Sequence, residues 1–297
     1  MSITGKPIAP LTPGSPEWLQ TISASKVPAI LGISPWQSKY SLWHLMAGNT
    51  EPWAGNKSTE RGTFLETAVL SWFRAQRAEA SIEAGGSYAH ADNEDWTAAP
   101  DGIAYEPDGE AGIEIKTSQY SDGWGTPGTS EVPPYYLAQA AWQMVVCGFR
   151  RVYIPVLFGQ PFEFRLYVVN WEDVEADIPV IVAAVVEFQT DLVLGNAPDI
   201  DGSDSTYQTI KALHPEIDGT EVAVPENMAR EFLYAHAKAE AFAKYESEWK
   251  SRIADHMGAA KKATLYGQPL FTRQAKGSGK PYLVIARTLP TIESKAA

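Results

Sequence analysis

The sequence has a single cysteine and no long apolar run. Cys147 is its only cysteine, which excludes a disulfide framework and a cysteine-ligated iron–sulfur cluster. It follows Trp142 in an apolar stretch, so we expect a small buried side chain and not a nucleophile. No run approaches the ~18 apolar residues of a membrane span. Residues 1–18 lack the basic and apolar regions of a signal peptide, so we expect a cytoplasmic protein.

Basic residues are also few. The 297 residues include 24 Lys and Arg against 36 Asp and Glu, a net charge of -12, which argues at first against a nucleic-acid partner. The charge is uneven, because residues 1–204 carry 11 basic against 26 acidic side chains and residues 205–297 carry 13 against 10. A DNA path would therefore need local basic groups such as Lys26, Lys39, Arg61 and the C-terminal lysines.

The strongest candidate for chemistry is a predicted β-hairpin. The apolar stretches 103–105 and 111–117 flank the turn sequence Pro-Asp-Gly-Glu, which is typical of a hairpin. Asp101 comes just before the first stretch, and Glu114 lies in the second. We therefore expect the hairpin to bring these two carboxylates within reach of one cation.

Two acidic side chains and a lysine would then share one surface. Successive side chains of a strand point to opposite faces, so Ile113 and Ile115 are expected in the core, with Glu114 and Lys116 on the other face. With Asp101, Glu114 can hold Mg²⁺. Lys116 can then orient or deprotonate a metal-bound water, or steady the charge that develops on a phosphate. The pattern predicts a site for phosphodiester cleavage; the alternative is ordinary charge alternation on an exposed strand.

Helix starts that precede this hairpin in the sequence add candidate residues. Helices are predicted at 27–31 and 39–47, each followed by a glycine. Ser23 or Ser25 is expected to cap the first helix. Their hydroxyls, the free amides and Lys26 would form an anion pocket suited to a phosphate, with capping alone as the alternative.

A further helix is predicted to open at Arg61. Its apolar residues follow helical spacing, and Glu66 lies at the edge of the buried stripe. A carboxylate there needs a partner such as a cation or Arg61, whereas a surface ion pair is the alternative. Residues 121–131 are rich in Gly, Ser and Thr, which predicts a loop beside the site.

A helix from Pro133 to Gly148 carries polar residues on one face. Tyr135, Gln139 and Gln143 recur at four-residue intervals, so this face can hold the substrate backbone or simply face solvent. After this helix, the residue pattern predicts strands at 151–157 and 162–169. It then predicts a helix at 171–194, which Pro179 should kink or divide.

The C-terminal third is predicted to be an appendage. Residues 196–206 read as a linker, and we place the domain boundary at 200, giving domains 1–200 and 201–297. Residues 225–262 predict a long helix, and 265–289 a hairpin with Gly-Ser-Gly at its tip. We expect a packing or oligomerisation role, with a DNA-contacting arm as the alternative.

Five short motifs together resemble a known family. They occur in this order: Ser-Ala-Ser-Lys at 23–26, Arg-Gly-x-x-x-Glu at 61–66, Pro-Asp-Gly at 100–102, Glu-Ile-Lys at 114–116 and Tyr-Leu-Ala-Gln at 136–139. From about residue 18 to 195 the chain resembles the YqaJ / lambda-exonuclease family of viral recombinases, within the PD-(D/E)xK nuclease superfamily. This implies an α/β (α+β) fold with a restriction-endonuclease-like mixed β-sheet core flanked by helices.

The resemblance also implies an activity and site residues. It implies a Mg²⁺-dependent exonuclease, with Mn²⁺ as a substitute, that degrades linear double-stranded DNA from the 5′ end. The enzyme would work as a homo-oligomer, often a trimeric ring, and would leave 3′ overhangs for a single-strand annealing protein. The matching positions are, for the metal, Asp101, Glu114, Glu66 and the backbone carbonyl of Ile115; for catalysis, the same three acids with Lys116 and Gln139; and for phosphate or DNA, Ser25, Lys26, Arg61 and Tyr136.

One position departs from the pattern, and two other readings stay open. This chain has Ala99 where some relatives have Ser before Pro-Asp, which removes one phosphate contact. A RecB-like nuclease is one alternative, although such proteins often carry cysteines for an iron–sulfur cluster. A catalytically silent DNA-end-binding or scaffold subunit is the other, although a binding module does not require a lysine two residues after a carboxylate.

Overall fold

A computed structural model describes residues 3–52, 55 and 57–292, without the side chains of residues 58 and 59. The chain divides into two compact units, residues 1–216 and 217–297. The first unit extends past residue 200, because the helix Asp204–Leu213 packs against the helix Lys39–Met46. A hydroxyl pair joins these two helices, with the Thr209 Oγ donating to the Ser41 Oγ at 2.9 Å.

The first unit contains both helices and strands. Its helices are α1 (Pro16–Leu19), α2 (Val27–Ile30), α3 (Lys39–Met46), α4 (Lys57–Gln76), α5 (Pro134–Cys147), α6 (Trp171–Val174), α7 (Ile178–Leu194) and α8 (Asp204–Leu213). Its strands are β1 (Lys6–Ile8), β2 (Ile22–Ser23), β3 (Ser81–Ala84), β4 (Ser87–Ala89), β5 (Trp96–Ala98), β6 (Gly102–Glu106), β7 (Gly109–Ile113), β8 (Lys116–Tyr120), β9 (Arg151–Gln160) and β10 (Phe162–Asn170).

A mixed sheet forms the centre of this unit. Its strand order is β10-β9-β7-β6-β3, and β8 also pairs with β9. The predicted hairpin is confirmed, since β6 and β7 are antiparallel with Glu106 opposite Gly109. The predicted second strand is interrupted, however, because β7 ends at Ile113 and β8 begins at Lys116, and both then run parallel to β9.

Helices cover both faces of this sheet. On β9, Val152, Ile154 and Val156 are buried in the cluster that contains helix α5. The alternate residues Tyr153 and Leu157 are buried in the cluster that contains α4. Burial of a large apolar side chain contributes roughly 1.5–3 kcal/mol, so the two helices fix the sheet between them. The fold is the expected α/β arrangement of a mixed sheet flanked by helices.

Several strands of the first unit have no counterpart in the prediction. Strands β1, β4, β5 and β2 form a separate sheet in that order, and β3 extends the central sheet. Each of these strands has two to four residues. Such lengths are too short to show the two-residue periodicity on which strand prediction depends.

The predicted helix boundaries hold in part. Pro179 divides the predicted helix 171–194 as expected, because α6 ends at Val174 and α7 begins at Ile178. Helix α5 ends at Gly148 in the left-handed conformation, as its position predicts. Helix α4 begins at Lys57, about one turn earlier than expected.

The predicted serine cap of α2 is wrong. Lys26 occupies the N-cap position of this helix, and no side chain forms a capping hydrogen bond there. The Lys26 amide instead donates to the Ser23 carbonyl at 2.9 Å, which forms a turn directly after strand β2. The two serine hydroxyls lie 3.1 Å apart, with Ser25 beside Ser23.

The second unit is a long helix followed by a small sheet. Its elements are α9 (Glu226–Met257), β11 (Lys262–Leu265), β12 (Gln268–Gln274) and β13 (Tyr282–Ile285). The sheet is antiparallel in the order β11-β12-β13, so a third strand joins the predicted hairpin. Met257, Phe271 and Leu283 form its core.

None of the helices in the described part of the chain combines the length and the apolar character needed to cross a membrane.

Candidate active site

The interruption between β7 and β8 sets the direction of Glu114. Its amide donates to the Tyr153 carbonyl at 2.8 Å, so this residue keeps its place beside β9. Ile113 and Ile115 are buried in the cluster with α4, which confirms their predicted face. Glu114 is also buried, at 5% exposure, and its carboxylate contacts side chains of helix α5.

Three donors hold the Glu114 carboxylate. Its Oε1 accepts hydrogen bonds from Lys116 Nζ at 2.5 Å and from Gln139 Nε2 at 2.6 Å. Its Oε2 accepts from Gln143 Nε2 at 2.5 Å. The two glutamines are one turn apart on α5 and therefore project from the same face. Lys116 Nζ also donates to Gln139 Oε1 at 3.1 Å, so the lysine, the glutamine and the carboxylate form one network.

Asp101 lies next to this network. Its Oδ2 accepts a hydrogen bond from the Ile115 amide at 2.7 Å, which ties it to the segment between β7 and β8. Burial raises the pKa of Asp101 to about 8, and the negative charge of Glu114 adds to the rise. The hairpin has thus brought two carboxylates close together in a buried site, where a cation between them is electrostatically favoured.

Lys116 stays positively charged in this site. Burial acts to lower its pKa, but Glu114, Tyr136 and Asp101 outweigh that effect and leave the pKa above its ordinary value. Its side chain is 16% exposed. A group that remains protonated at neutral pH is suited to stabilising negative charge and cannot act as a general base there.

The donor set fits Mg²⁺. Within residues 3–52, 55 and 57–292, no three His, Cys, Asp or Glu side chains are grouped so that they could hold one metal ion. Mg²⁺ is usually bound through one or two carboxylates together with substrate phosphates, and Asp101 and Glu114 provide such a pair. A bound cation would also offset the two effects that raise the pKa of Asp101, which are burial and the negative charge of Glu114.

Glu66 lies near the pair but on a different element. Gly62, one turn earlier on α4, faces β8, since a Cβ there would lie 3.7 Å from Thr117 Oγ1. Partial burial raises the pKa of Glu66, and the charge of Glu114 adds to this rise. Glu66 and Arg61 are both exposed on α4. A ligand role for Glu66 and a phosphate role for Arg61 stay predictions.

The placement of Lys26 does not support its predicted phosphate role. The side chain is buried at 1% exposure, and its Nζ donates to the carbonyls of Trp18 and Thr21 at 2.5 and 2.6 Å. These carbonyls lie at and just after the end of helix α1, where carbonyls lack partners and lysine commonly binds them. Burial lowers the pKa of Lys26 to about 7. Ser25 is exposed, so its phosphate role stays a prediction.

An aromatic surface flanks the lysine. The Tyr136 ring centroid lies 4.8 Å from Lys116 Nζ. Trp36, which is 64% exposed, packs its ring 4.9 Å from the ring of Tyr135 and 6.1 Å from that of Tyr136. Trp36 is not predictable from the sequence as a site residue, because no local pattern links it to α5. Gln143 is not among the predicted site residues either, although its four-residue spacing from Gln139 was a usable signal.

The fold and the site define an α/β protein with a carboxylate pair, a lysine and a glutamine gathered where a central strand is interrupted. Residues 17–150 match the YqaJ-like viral recombinase domain. Over this segment, which is less than half of the chain, the protein is similar to the YqaJ-like viral recombinase family.

A curated relative and solved structures show similarity over a larger part of the chain. The uncharacterized protein YqaJ of Bacillus subtilis (strain 168) is 29% identical over 217 residues, which cover 68% of this chain and 64% of the relative. The alkaline exonuclease LHK-Exo of Laribacter hongkongensis is 19% identical with a TM-score of 0.47, covering 68% of this chain and all of that one. A phage related exonuclease of Haemophilus somnus is 15% identical with a TM-score of 0.43, covering 59% and 96%.

Proposed function

We propose that this protein is a Mg²⁺-dependent nuclease that degrades one strand of linear double-stranded DNA from the 5′ end. The observation that carries the proposal is the buried network in which Lys116 and Gln139 hold Glu114, with Asp101 beside it. Recombination is the proposed setting, since the matched domain is a viral recombinase domain. The 3′ overhang left behind would be passed to a single-strand annealing protein.

The site residues divide the work between them. When bound by Asp101 and Glu114, Mg²⁺ would act as a Lewis acid toward the scissile phosphate. The Lys116 ammonium supplies a fixed positive charge for the phosphate as its negative charge increases. Gln139 and Gln143 hold the Glu114 carboxylate in one orientation through their amide groups. A preorganised carboxylate requires no rearrangement when substrate binds.

The surroundings support a nucleic-acid substrate. Trp36, Tyr135 and Tyr136 form a partly exposed aromatic surface beside Lys116. Aromatic side chains stack on bases of any sequence, which suits a nuclease that degrades DNA of any sequence. The exposed Ser25 hydroxyl is proposed to contact the terminal 5′ phosphate. A homo-oligomeric ring is part of the proposal on the strength of the family resemblance.

The test is one incubation series with purified protein. Blunt linear duplex and nicked circular duplex are each incubated with Mg²⁺, with Ca²⁺ and with excess EDTA. We expect degradation of the linear substrate in Mg²⁺ only, with each degraded strand shortened from its 5′ end. Ca²⁺ should support binding without turnover, because it is larger and less strict in geometry. Undiminished cleavage in EDTA would contradict the proposed mechanism, and equal cleavage of the nicked circle would contradict the requirement for an end.

A further inference from the structure

The two units of the chain differ strongly in charge. Residues 1–216 carry 12 Lys and Arg against 27 Asp and Glu, giving -15, while residues 217–297 carry 12 against 9, giving +3. Within the second unit, residues 256–292 contain six basic side chains and no acidic ones. The positive charge of this protein is therefore concentrated around the C-terminal sheet.

The topology of that sheet gathers four lysines at one end. Lys262, at the start of β11, lies opposite Thr272 near the end of β12. The Arg273 amide donates to the Lys261 carbonyl at 2.8 Å. Strand β12 ends at Gln274, opposite the first residue of β13, so the connecting loop projects from the same end. The four lysines at this end, all exposed, are Lys261, Lys262, Lys276 and Lys280; we name them the basic end.

The loop between β12 and β13 consists of small residues between two lysines. Its sequence is Lys276-Gly277-Ser278-Gly279-Lys280, and the Gly279 amide closes it by donating to the Lys276 carbonyl at 3.1 Å. Gly277 has φ +59°, a conformation that glycine adopts without strain. Three small residues between two lysines let a phosphate backbone approach the loop without steric hindrance.

A cleft next to the loop adds an aromatic ring and another cation. Its lining includes Lys250 and Ser251 of α9 together with Arg273 and Tyr282 of the sheet. Arg273 is already engaged, since its guanidinium donates to the Ala254 carbonyl at 2.9 Å and thereby fixes the sheet against the end of α9. Lys250 and the half-exposed Tyr282 remain to face a ligand. A cation track with an aromatic ring is the combination used to bind nucleic-acid strands.

We propose that the basic end and this cleft bind the phosphate backbone of DNA, as a second contact outside the candidate active site. The inference rests on the proposed function and extends it. The first unit has a net charge of -15 and therefore offers DNA, a polyanion, little electrostatic attraction. Each lysine that contacts a phosphate releases condensed counterions, so its contribution shows as salt dependence. The same positive charge would also attract an acidic protein segment, and the experiment below distinguishes DNA from such a partner.

The experiment uses the full chain with Lys276→Gln and Lys280→Gln combined. The matched control combines Lys238→Gln and Lys244→Gln, which remove the same charge from exposed positions of α9. Binding of a fluorescein-labelled short duplex and of its single strand is followed by anisotropy in EDTA over a series of salt concentrations. The plot of log K against log salt concentration has a negative slope. For the loop pair we expect this slope to become less steep by about 2, and for the control pair we expect no change.

Several outcomes would overturn the inference. Equal losses in the loop and control pairs would show that only net charge matters, and unchanged binding in the loop pair would show that the lysines do not contact DNA. Retained DNA binding with lost binding of a labelled poly-glutamate peptide would assign the surface to an acidic protein. Because binding is measured without turnover, a parent protein that binds through the loop but cuts nothing would contradict the proposed nuclease function alone.

Discussion

Replacing Asp101 by Asn separates the electrostatics of the candidate site from its architecture. Asn has nearly the same shape as Asp, and its amide oxygen can still accept the hydrogen bond from the Ile115 amide that Asp101 Oδ2 accepts at 2.7 Å. The segment between β7 and β8 should therefore keep its conformation. What disappears is a group that can ionise in a buried position next to Glu114.

The size and sign of the effect follow from the pKa of Asp101, which burial raises from 3.8 to about 8. An acid with a raised folded-state pKa holds its proton longer in the folded protein than in the unfolded one. Stability is therefore unaffected near pH 4 and is lost progressively as pH rises toward 8. At 1.36 kcal/mol per pKa unit, the loss above pH 8 is on the order of 5 kcal/mol as an upper bound.

The assay is urea unfolding of the parent and of Asp101→Asn in EDTA. Near pH 4 the two proteins should have similar free energies of unfolding, and above pH 8 Asp101→Asn should be the more stable. Added Mg²⁺ should reduce the difference, because the ion stabilises the folded parent by binding to it. Asp173→Asn is the control, since Asp173 also accepts a backbone hydrogen bond, at 2.8 Å, but is exposed. A variant that is less stable than the parent above pH 8 would refute the reasoning.

Two further predictions concern Gln143 and Ser25. Gln143→Leu removes the donor to Glu114 Oε2, so we expect a loss of about 10- to 100-fold in Mg²⁺ affinity or rate; an unchanged Mg²⁺ titration of the rate would show that Gln143 does not position the carboxylate. The parent should degrade a 5′-phosphorylated duplex faster than a 5′-hydroxyl one, and Ser25→Ala should lose that preference. Equal parental rates on the two ends would remove the phosphate pocket from the account.

The features that the sequence predicts are local ones. The hairpin follows from a Pro-Asp-Gly-Glu turn between apolar stretches, and the burial of Ile113 and Ile115 follows from alternation along a strand. The division of the helix at Pro179 is a property of that residue alone. Because Asp101 and Glu114 lie on one hairpin, their closeness was predictable as well.

The features that were not predictable depend on long-range packing. Lys26 turns inward because the carbonyls of Trp18 and Thr21 need donors, and its spacing from them carries no recognisable signal. Trp36 meets Tyr135 only after α5 has packed in place. The interruption at Glu114 arises because β7 and β8 both pair with β9, a pairing that alternation within one strand does not reveal.

The central claim is that Lys116 belongs to an active site. The most direct measurement is degradation of an end-labelled linear duplex in Mg²⁺ by the parent and by Lys116→Ala, with circular dichroism of each protein. The control is Lys6→Ala, which removes an exposed lysine whose ion pair with Glu94 spans 3.9 Å and should matter little.

We expect Lys116→Ala to fold and to bind DNA ends but to degrade DNA more slowly by a factor on the order of 10² or more. Lys6→Ala should match the parent. A folded Lys116→Ala protein that degrades the duplex at the parental rate would contradict the claim.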